Sequence, residues 1–258
     1  MIGWWRRWRA ARILRNRPIP DELWALTVAS HPFLARRSGP TLDRLRELAT
    51  LFLAQKEFTG AHGLVVTDEM AVAIAAQACL PVLSLGLEAY ADMVGIVVQP
   101  GEVVAPREHM DEAGVVHHYE EWLTGEAMPG GPVMLSWADV ADAGETAAWA
   151  YNVVVHEFVH VLDMAAGQAD GMPPMPDATL ARRWQAELPA AYDRLRARLD
   201  RGLDTFLDPY AAEGLEEFFP VAAEAFFVHP HGLLQDDPAL YDLLRDYFRQ
   251  DPATEGKA

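Results

Sequence analysis

Apolar residues recur at intervals of three and four along most of this chain, which is the spacing of a helix with one apolar face. Two segments differ, because 95–104 and 130–137 are short apolar runs beside glycine, as strands next to turns are. The pattern therefore predicts an α+β fold that is mostly helical and contains a small β-sheet. The predicted helices cover 21–28, 41–55, 67–78, 146–164, 178–199, 216–228 and 239–249.

The chain is predicted to have three parts. Residues 1–20 form a basic, tryptophan-rich arm whose three tryptophans are expected to pack on the domain, and the alternative is a weak contact with a membrane surface or a partner. Residues 21–250 fit one domain, within which glycine and proline predict a loop at 167–176. Residues 251–258 have the composition of a flexible tail.

Charge and composition exclude several classes of protein. The net charge is −17 over 258 residues, so we expect no direct contact with nucleic acid, which such a surface repels. The sequence has no run of roughly 18 uncharged apolar residues, so no membrane span is predicted. The single cysteine, Cys79, excludes an intramolecular disulfide and a multi-cysteine metal site. These features together predict a cytoplasmic protein.

The segment VVVHEFVHVLD, residues 153–163, places titratable groups inside an apolar helix. His156 and His160 are one turn apart on the same face, so both imidazoles can bind one zinc ion. Glu157 projects roughly 100° away from His156, where it can take a proton from a water on the metal. Such groups cost free energy when buried without partners, and a bound cation satisfies all three. The alternative is that they are coincidental core residues.

A catalytic zinc site needs a third protein ligand and an open position for water. The glycine and histidine that follow the motif in metzincins are absent after His160. The segment YAAEGLEEFFPVAAEAFF, residues 210–227, offers glutamates instead. Glu217 and Glu224 are seven residues apart and share a helix face, so on spacing alone either can be the ligand.

These segments, together with GQADGMP, CLPVLSLGLEAY and GGPVMLSWADV, resemble the Mlc titration factor A family of zinc-dependent peptidases. The resemblance extends over roughly residues 45–253, which makes it more specific than the histidine motif alone. It implies a zincin-like domain with one zinc ion per chain, held as in gluzincins by two histidines and a glutamate. The family's ligand glutamate follows the tyrosine of a YAA triplet by seven residues, which is Glu217 here. The resemblance places Glu224 beside a ligand instead of on the metal.

The resemblance also implies two functions. One is aminopeptidase-type hydrolysis of peptides, in which Glu157 is the general base. The alternative is a non-catalytic anti-repressor that sequesters a transcriptional repressor of sugar-uptake genes through protein contact. The intact Glu157 favours catalysis, because a binding protein has no evident need for a general base beside its metal. A purely structural zinc is less consistent, because the sequence offers no fourth ligand.

Further residues are candidates for supporting roles. Tyr210 can donate its hydroxyl to a developing oxyanion, and its alternative is a packed side chain. Asp163 is predicted to hydrogen-bond the far nitrogen of a ligand histidine, or else to act at the helix end. His117 and His118 are predicted not to be metal ligands. The strand at 132–137 is expected to offer its edge to an extended peptide, unless it lies inside the sheet.

Overall fold

A computed structural model describes residues 2–110 and 116–255; the side chains of 2, 3, 6 and 104–123 lie outside that description. Every helix predicted from the apolar repeat is confirmed except the long one at 146–164. None of the helices in these ranges combines the length and apolarity that crossing a bilayer requires. The helices are α1 (Ile2–Asn16), α2 (Asp21–Ser30), α3 (Pro32–Ala35), α4 (Gly39–Leu53), α5 (Asp68–Ala78), α6 (Trp137–Thr146), α7 (Val153–Met164), α8 (Ala178–Leu199), α9 (Leu215–Val228), α10 (Pro230–Asp236) and α11 (Pro238–Phe248), with 3-10 turns at Leu87–Tyr90, Ala147–Trp149 and Pro209–Ala212.

The strands form a small mixed sheet and a separate hairpin. They are β1 (Glu57–Gly60), β2 (Gly95–Gln99), β3 (Val103–Met110), β4 (Val116–Leu123), β5 (Gly125–Ala127) and β6 (Val133–Ser136). The sheet has the order β1-β2-β6-β5, in which β1, β2 and β6 are parallel and β5 is antiparallel to β6. The hairpin pairs β3 with β4. The predicted α+β fold, mostly helical with a small sheet, is confirmed.

Strand β6 lies inside the sheet. Met134 at its centre is paired with Val97 of β2 on one side and with Glu126 of β5 on the other. The prediction that 132–137 offers an edge to a peptide is therefore wrong, because both edges of β6 are already paired. The strands at the two ends of the described sheet are β1 and β5, and the one beside β6 is β5, which has only three residues and no apolar run to reveal it in the sequence.

The predicted helix at 146–164 is two helices with a break between them. Helix α6 ends at Thr146, and Ala150 has a left-handed backbone with φ of 60°. Asn152 has an extended backbone, and its side chain accepts a hydrogen bond from the N–H of Val155. A residue that caps a helix in this way starts a new one, so α7 begins at Val153.

Helix α7 runs through the centre of the core. It packs against α5, α9, β5 and β6. The ring of Phe158 lies 5.6 Å from that of Phe52 and 5.1 Å from that of Tyr90, measured between centroids. A helix that is apolar on nearly all sides is a buried helix, so its few polar side chains are removed from water with it.

The amino-terminal arm is helical, but its tryptophans do not pack on the domain. Trp4, Trp5 and Trp8 are 68%, 63% and 46% exposed. The prediction that they pack on the domain is wrong, because the described side chains of α1 that are partly buried are those of Ala10, Ile13 and Leu14.

The predicted flexible tail is packed over residues 251–255. Ala253 is buried, and its N–H donates to the hydroxyl of Tyr241 at 3.0 Å. The carboxylate of Glu255 lies 3.4 Å from the buried guanidinium of Arg37. These contacts bind the segment to α11 and to the region before α4, which its polar composition did not indicate.

Candidate metal centre

Asn152 orients the first turn of helix α7. Its side-chain oxygen accepts from the N–H of Val155 at 2.8 Å, and its amide nitrogen donates to Gln77 at 2.7 Å. One turn further, the rings of His156 and His160 lie 4.8 Å apart between centroids. The spacing of four residues therefore directs both imidazoles toward one point, as the sequence predicted.

Helix α9 brings Glu217 to both histidines. Its Oε2 lies 3.2 Å from Nε2 of His156 and 3.4 Å from Nε2 of His160. The two Nε2 atoms are 3.1 Å apart, and the ligand atoms of all three residues lie within 4.8 Å of one another. Between Glu217 and Glu224, which the helical spacing left open, the fold places Glu217 at the nitrogens that face each other.

Glu224 contacts the opposite side of His156. Its Oε1 lies 2.7 Å from Nδ1 of that ring, and its Oε2 accepts a hydrogen bond from the N–H of Asn152. An ionised carboxylate can only accept, so Nδ1 carries a proton. Nε2 faces the carboxylate of Glu217, and this contact is favourable only with a second proton or a metal ion at Nε2. These donor atoms therefore fit a metal ion.

The electrostatics of the group show the same demand for positive charge. Burial alone would lower the pKa of His156, but its contacts with Glu217 and Glu224 outweigh burial and raise the pKa well above its usual value. Burial also opposes ionisation of Glu217, yet its hydrogen bonds with His156 and His160 hold its pKa well below the usual value. Two imidazoles and one carboxylate are a donor set found in catalytic zinc sites.

Glu157 lies next to these ligands in a tightly enclosed position. It is 5% exposed, and burial is the main cause that raises its pKa to about 7, with a further contribution from Glu217 and Glu224. A cation at the adjacent ligands would lower that pKa again. The backbone of Ala127 donates a hydrogen bond to Glu157, and a Cβ on Gly125 would lie 2.6 Å from its Cγ and Oε1. Strand β5 therefore fits closely over this carboxylate because position 125 has no side chain.

A cleft of about 280 Å³ opens over His156 and Glu157. Its walls include Gly125 on the side of β5 and Trp149, which is 82% exposed. Tyr210 also lines the cleft, and its ring is 6.2 Å from that of His156 between centroids. The predicted catalytic residues Glu157 and Tyr210 thus line the same cleft.

Three carboxylates line this cleft. They are Glu157, Asp208 and Glu224, and no arginine or lysine of the described residues lines it. Asp208 is exposed, and its carboxylate accepts a hydrogen bond from the N–H of Tyr210 at 2.8 Å. An acidic cleft attracts cationic groups of a ligand.

Asp163 does not make the histidine contact predicted for it. Its Oδ2 accepts from the N–H of Gly171 at 2.8 Å, and within the described ranges its Oδ1 has no hydrogen-bond partner. Glu224 already holds the far nitrogen of His156, where such a contact would form. Asp163 instead ties the end of α7 to the loop at 167–176, none of whose residues lines the cleft.

Two predicted residues lie where the structure gives no side-chain detail. The backbones of His117 and His118 belong to β4, but their side chains are outside the described part of the chain. That they are not ligands stays a prediction.

Sequence reasoning missed two residues that shape the site. Asn152 directly precedes an apolar helix, as a capping residue does, and that signal could have identified it. Gly125 carries no such signal, because the need for glycine arises from its close approach to Glu157 in space.

Comparison with known proteins shows the family to which this chain belongs. Mlc titration factor A of Pectobacterium atrosepticum is 35% identical over 240 residues, which cover 92% of this chain and 89% of that protein. Mlc titration factor A of Salmonella arizonae is 32% identical over 256 residues, 98% of each chain. An uncharacterized protein of Synechocystis sp. is 33% identical over 249 residues, 96% of this chain and 90% of that one. The model of the glucose-regulated metallo-peptidase M90 family matches residues 5–249, and the chain therefore belongs to this family of metallopeptidases.

Proposed function

We propose that this protein is a zinc-dependent peptidase that cleaves residues from the free amino ends of peptides. One observation carries the proposal: His156, His160 and Glu217 direct their ligand atoms to one point under a cleft that Glu157 also lines. Three protein ligands leave a coordination position open, which is characteristic of catalytic zinc sites. When bound there, zinc supplies an activated water and polarises the carbonyl of the scissile bond.

The remaining chemistry belongs to side chains of the cleft. Glu157 accepts a proton at its carboxylate and passes it to the departing amine, so its position must be held constant. The backbone of Ala127 and the absence of a side chain at Gly125 support that position. Tyr210 donates its hydroxyl to the oxygen of the reacting carbonyl, where negative charge develops.

Strand β5 is suited to hold the peptide. It lies at one end of the described sheet, and its first residue, Gly125, lines the cleft together with Thr124, which precedes it. An extended peptide can pair with such a strand through its backbone, which leaves selectivity to the walls of the cleft.

The carboxylates that line the cleft support a preference for peptides with a free amino end. A peptide's amino terminus is cationic at neutral pH, and Asp208 is the exposed carboxylate of the cleft. Replacing Asp208 by asparagine keeps an acceptor for the N–H of Tyr210 but removes the charge. We expect Asp208→Asn to raise KM for substrates with a free amino end and to leave blocked substrates unaffected.

The first test is hydrolysis of aminoacyl and blocked peptide reporters by the zinc-loaded protein and its Glu157→Gln variant. Removing a general base slows such reactions by about 10²–10⁴-fold, while zinc content should not change. Glu216→Gln, an exposed change on α9 with the same loss of charge, should keep full activity. Equal hydrolysis by the wild type and Glu157→Gln would refute the assigned role, and cleavage of blocked reporters alone would refute the aminopeptidase assignment.

A second candidate function rests on the relatives and on charge. Two relatives are named Mlc titration factor A, and this chain carries a net charge of −17, which suits the basic DNA-binding surface of a repressor. We therefore also propose that it binds a transcriptional repressor, such as the Mlc protein in the relatives' name, in the cytoplasm. Gel filtration with purified Mlc tests this proposal: co-elution of Mlc with both the wild type and Glu157→Gln supports binding that is independent of catalysis. Separate elution of both would refute it.

A further inference from the structure

Helix α1 attaches to the domain by one face. Among the side chains of α1 that the structure describes, those of Ala10, Ile13 and Leu14 are partly buried, and the helix contacts α4. At roughly 100° per residue these three positions fall within one arc of about 100°. This arc is the side that faces the domain.

The opposite arc of α1 carries three exposed tryptophans, Trp4, Trp5 and Trp8. Their rings contact one another edge to face, with centroids 6.1 Å apart for the first pair and 5.6 Å for the second. Each ring is nearly half exposed or more, and the three together form a continuous aromatic ridge. A contiguous exposed apolar patch on a soluble domain marks a surface that binds something.

Arginines surround this aromatic ridge. The guanidinium of Arg12 lies 5.6 Å from the ring centroid of Trp8, and Arg7, Arg9 and Arg15 are exposed. No carboxylate of the described residues forms an ion pair with these four arginines. The first 20 residues contain six arginines and no acidic residue, in a chain whose net charge is −17. Positive charge and exposed aromatic surface are therefore concentrated together on one helix.

We propose that α1 docks this protein on the surface of an anionic lipid membrane. Tryptophan is favoured at the level of the lipid headgroups, because its ring is apolar and its N–H is polar. Arginine pairs with lipid phosphates, and a helix with both lies in the plane of the interface. Charge complementarity favours this occupant, because α1 is the basic part of an acidic protein, and an anionic surface attracts it.

This docking is separate from the metal centre. The proposed peptidase site lies on α7 and α9, and no residue of α1 lines its cleft. The acidic remainder of the chain is repelled by the same membrane, so the attachment depends on α1 alone and weakens with salt.

The experiment is co-sedimentation of the full chain with vesicles of phosphatidylcholine containing about one third phosphatidylglycerol, and with phosphatidylcholine alone. Two variants alter the ridge: one replaces all three tryptophans by alanine, and the other combines Arg12→Gln with Arg15→Gln. Each arginine near an anionic surface strengthens binding roughly fivefold, so the double arginine variant should bind roughly thirtyfold more weakly. The control is Arg44→Gln with Arg182→Gln, which removes the same charge from exposed positions outside α1.

The proposal is supported if the wild type and the control variant sediment with anionic vesicles at low salt, and both the tryptophan and the arginine variants bind these vesicles much more weakly. It is overturned if the wild type does not sediment with anionic vesicles, or if the tryptophan and arginine variants sediment as well as the control variant. Light scattering measures the molar mass and so tests for a different occupant. A wild type that does not bind vesicles but forms a dimer, which the tryptophan variant does not form, would assign this face to a second copy of the chain. A shift of short duplex DNA by the wild type, without vesicle binding, would assign it to nucleic acid.

Discussion

The Glu224→Gln substitution tests how the far side of His156 is held. Both carboxylate oxygens are used, one by Nδ1 of His156 at 2.7 Å and the other by the N–H of Asn152. Glutamine keeps one acceptor and replaces the other by an NH₂ donor. If its oxygen stays with Asn152, its NH₂ faces Nδ1, and the ring proton must move to Nε2. That proton then occupies the position from which the ring would bind a metal.

The expected magnitude follows from these two contacts. Groups that orient a metal-bound histidine typically contribute 10- to 100-fold to metal affinity, which is about 1.4–2.7 kcal/mol. If the amide turns the other way, the buried N–H of Asn152 loses its acceptor, which costs about 1–3 kcal/mol of the free energy of unfolding. One of the two quantities must therefore fall.

The assay measures both. Zinc affinity is obtained by competition with a chromophoric chelator, and the free energy of unfolding of the metal-free protein is obtained from urea titration. Glu216→Gln is the matched control, because it removes one charge from an exposed position of the same helix. We expect the control to match the wild type in both measurements.

Two results would refute the reasoning. Unchanged zinc affinity and unchanged stability in Glu224→Gln would show that the carboxylate does not set the ring proton of His156. An equal loss of affinity in Glu224→Gln and Glu216→Gln would show that net charge near the site matters, and the hydrogen bond does not.

Three further predictions concern other parts of the molecule. Gly125→Ala should reduce hydrolysis at least tenfold with zinc content unchanged, because its Cβ would lie 2.6 Å from Glu157; activity like that of the wild type would contradict the close fit. Asn152→Ala should lower the free energy of unfolding by about 1–3 kcal/mol in urea titration, because a helix cap and the partner of Gln77 are lost, and an unchanged midpoint would contradict this. Burial lowers the pKa of His31 below 6.5, so its neutral form stabilises the fold fully above about pH 6.5, and this contribution is lost as the pH falls below that value. His31→Gln should therefore show a smaller loss of stability than the wild type between about pH 7.5 and pH 5.5, and equal losses would exclude this residue as a cause.

The local elements of the site could be predicted from the sequence because they depend on short spacings. His156 and His160 share a face wherever the chain is helical, and Glu217 and Glu224 share a face for the same reason. The apolar repeat likewise predicted most helices to within a few residues, because each buries one face.

Features that depend on contacts between distant segments could not be read in this way. Asp163 follows His160 by three residues and was a reasonable histidine partner, but the fold places Gly171 against it and Glu224 against His156. The edge of the sheet was misassigned because β5 is too short to show a pattern. Exposure of the tryptophans of α1 was also unpredicted, because the pattern does not reveal which side of that helix meets α4.

The sequence by itself determined that two histidines and a glutamate lie on one turn of an apolar helix, because helical spacing is a local property of the backbone. Helical spacing left open which acidic residue meets them; the family resemblance indicated Glu217, and only the tertiary structure shows the contact. It packed α9 against α7 so that Glu217 faces both Nε2 atoms and Glu224 faces Nδ1 of His156. Distances between helices are set by the packing of whole faces, and that information is spread over the entire core.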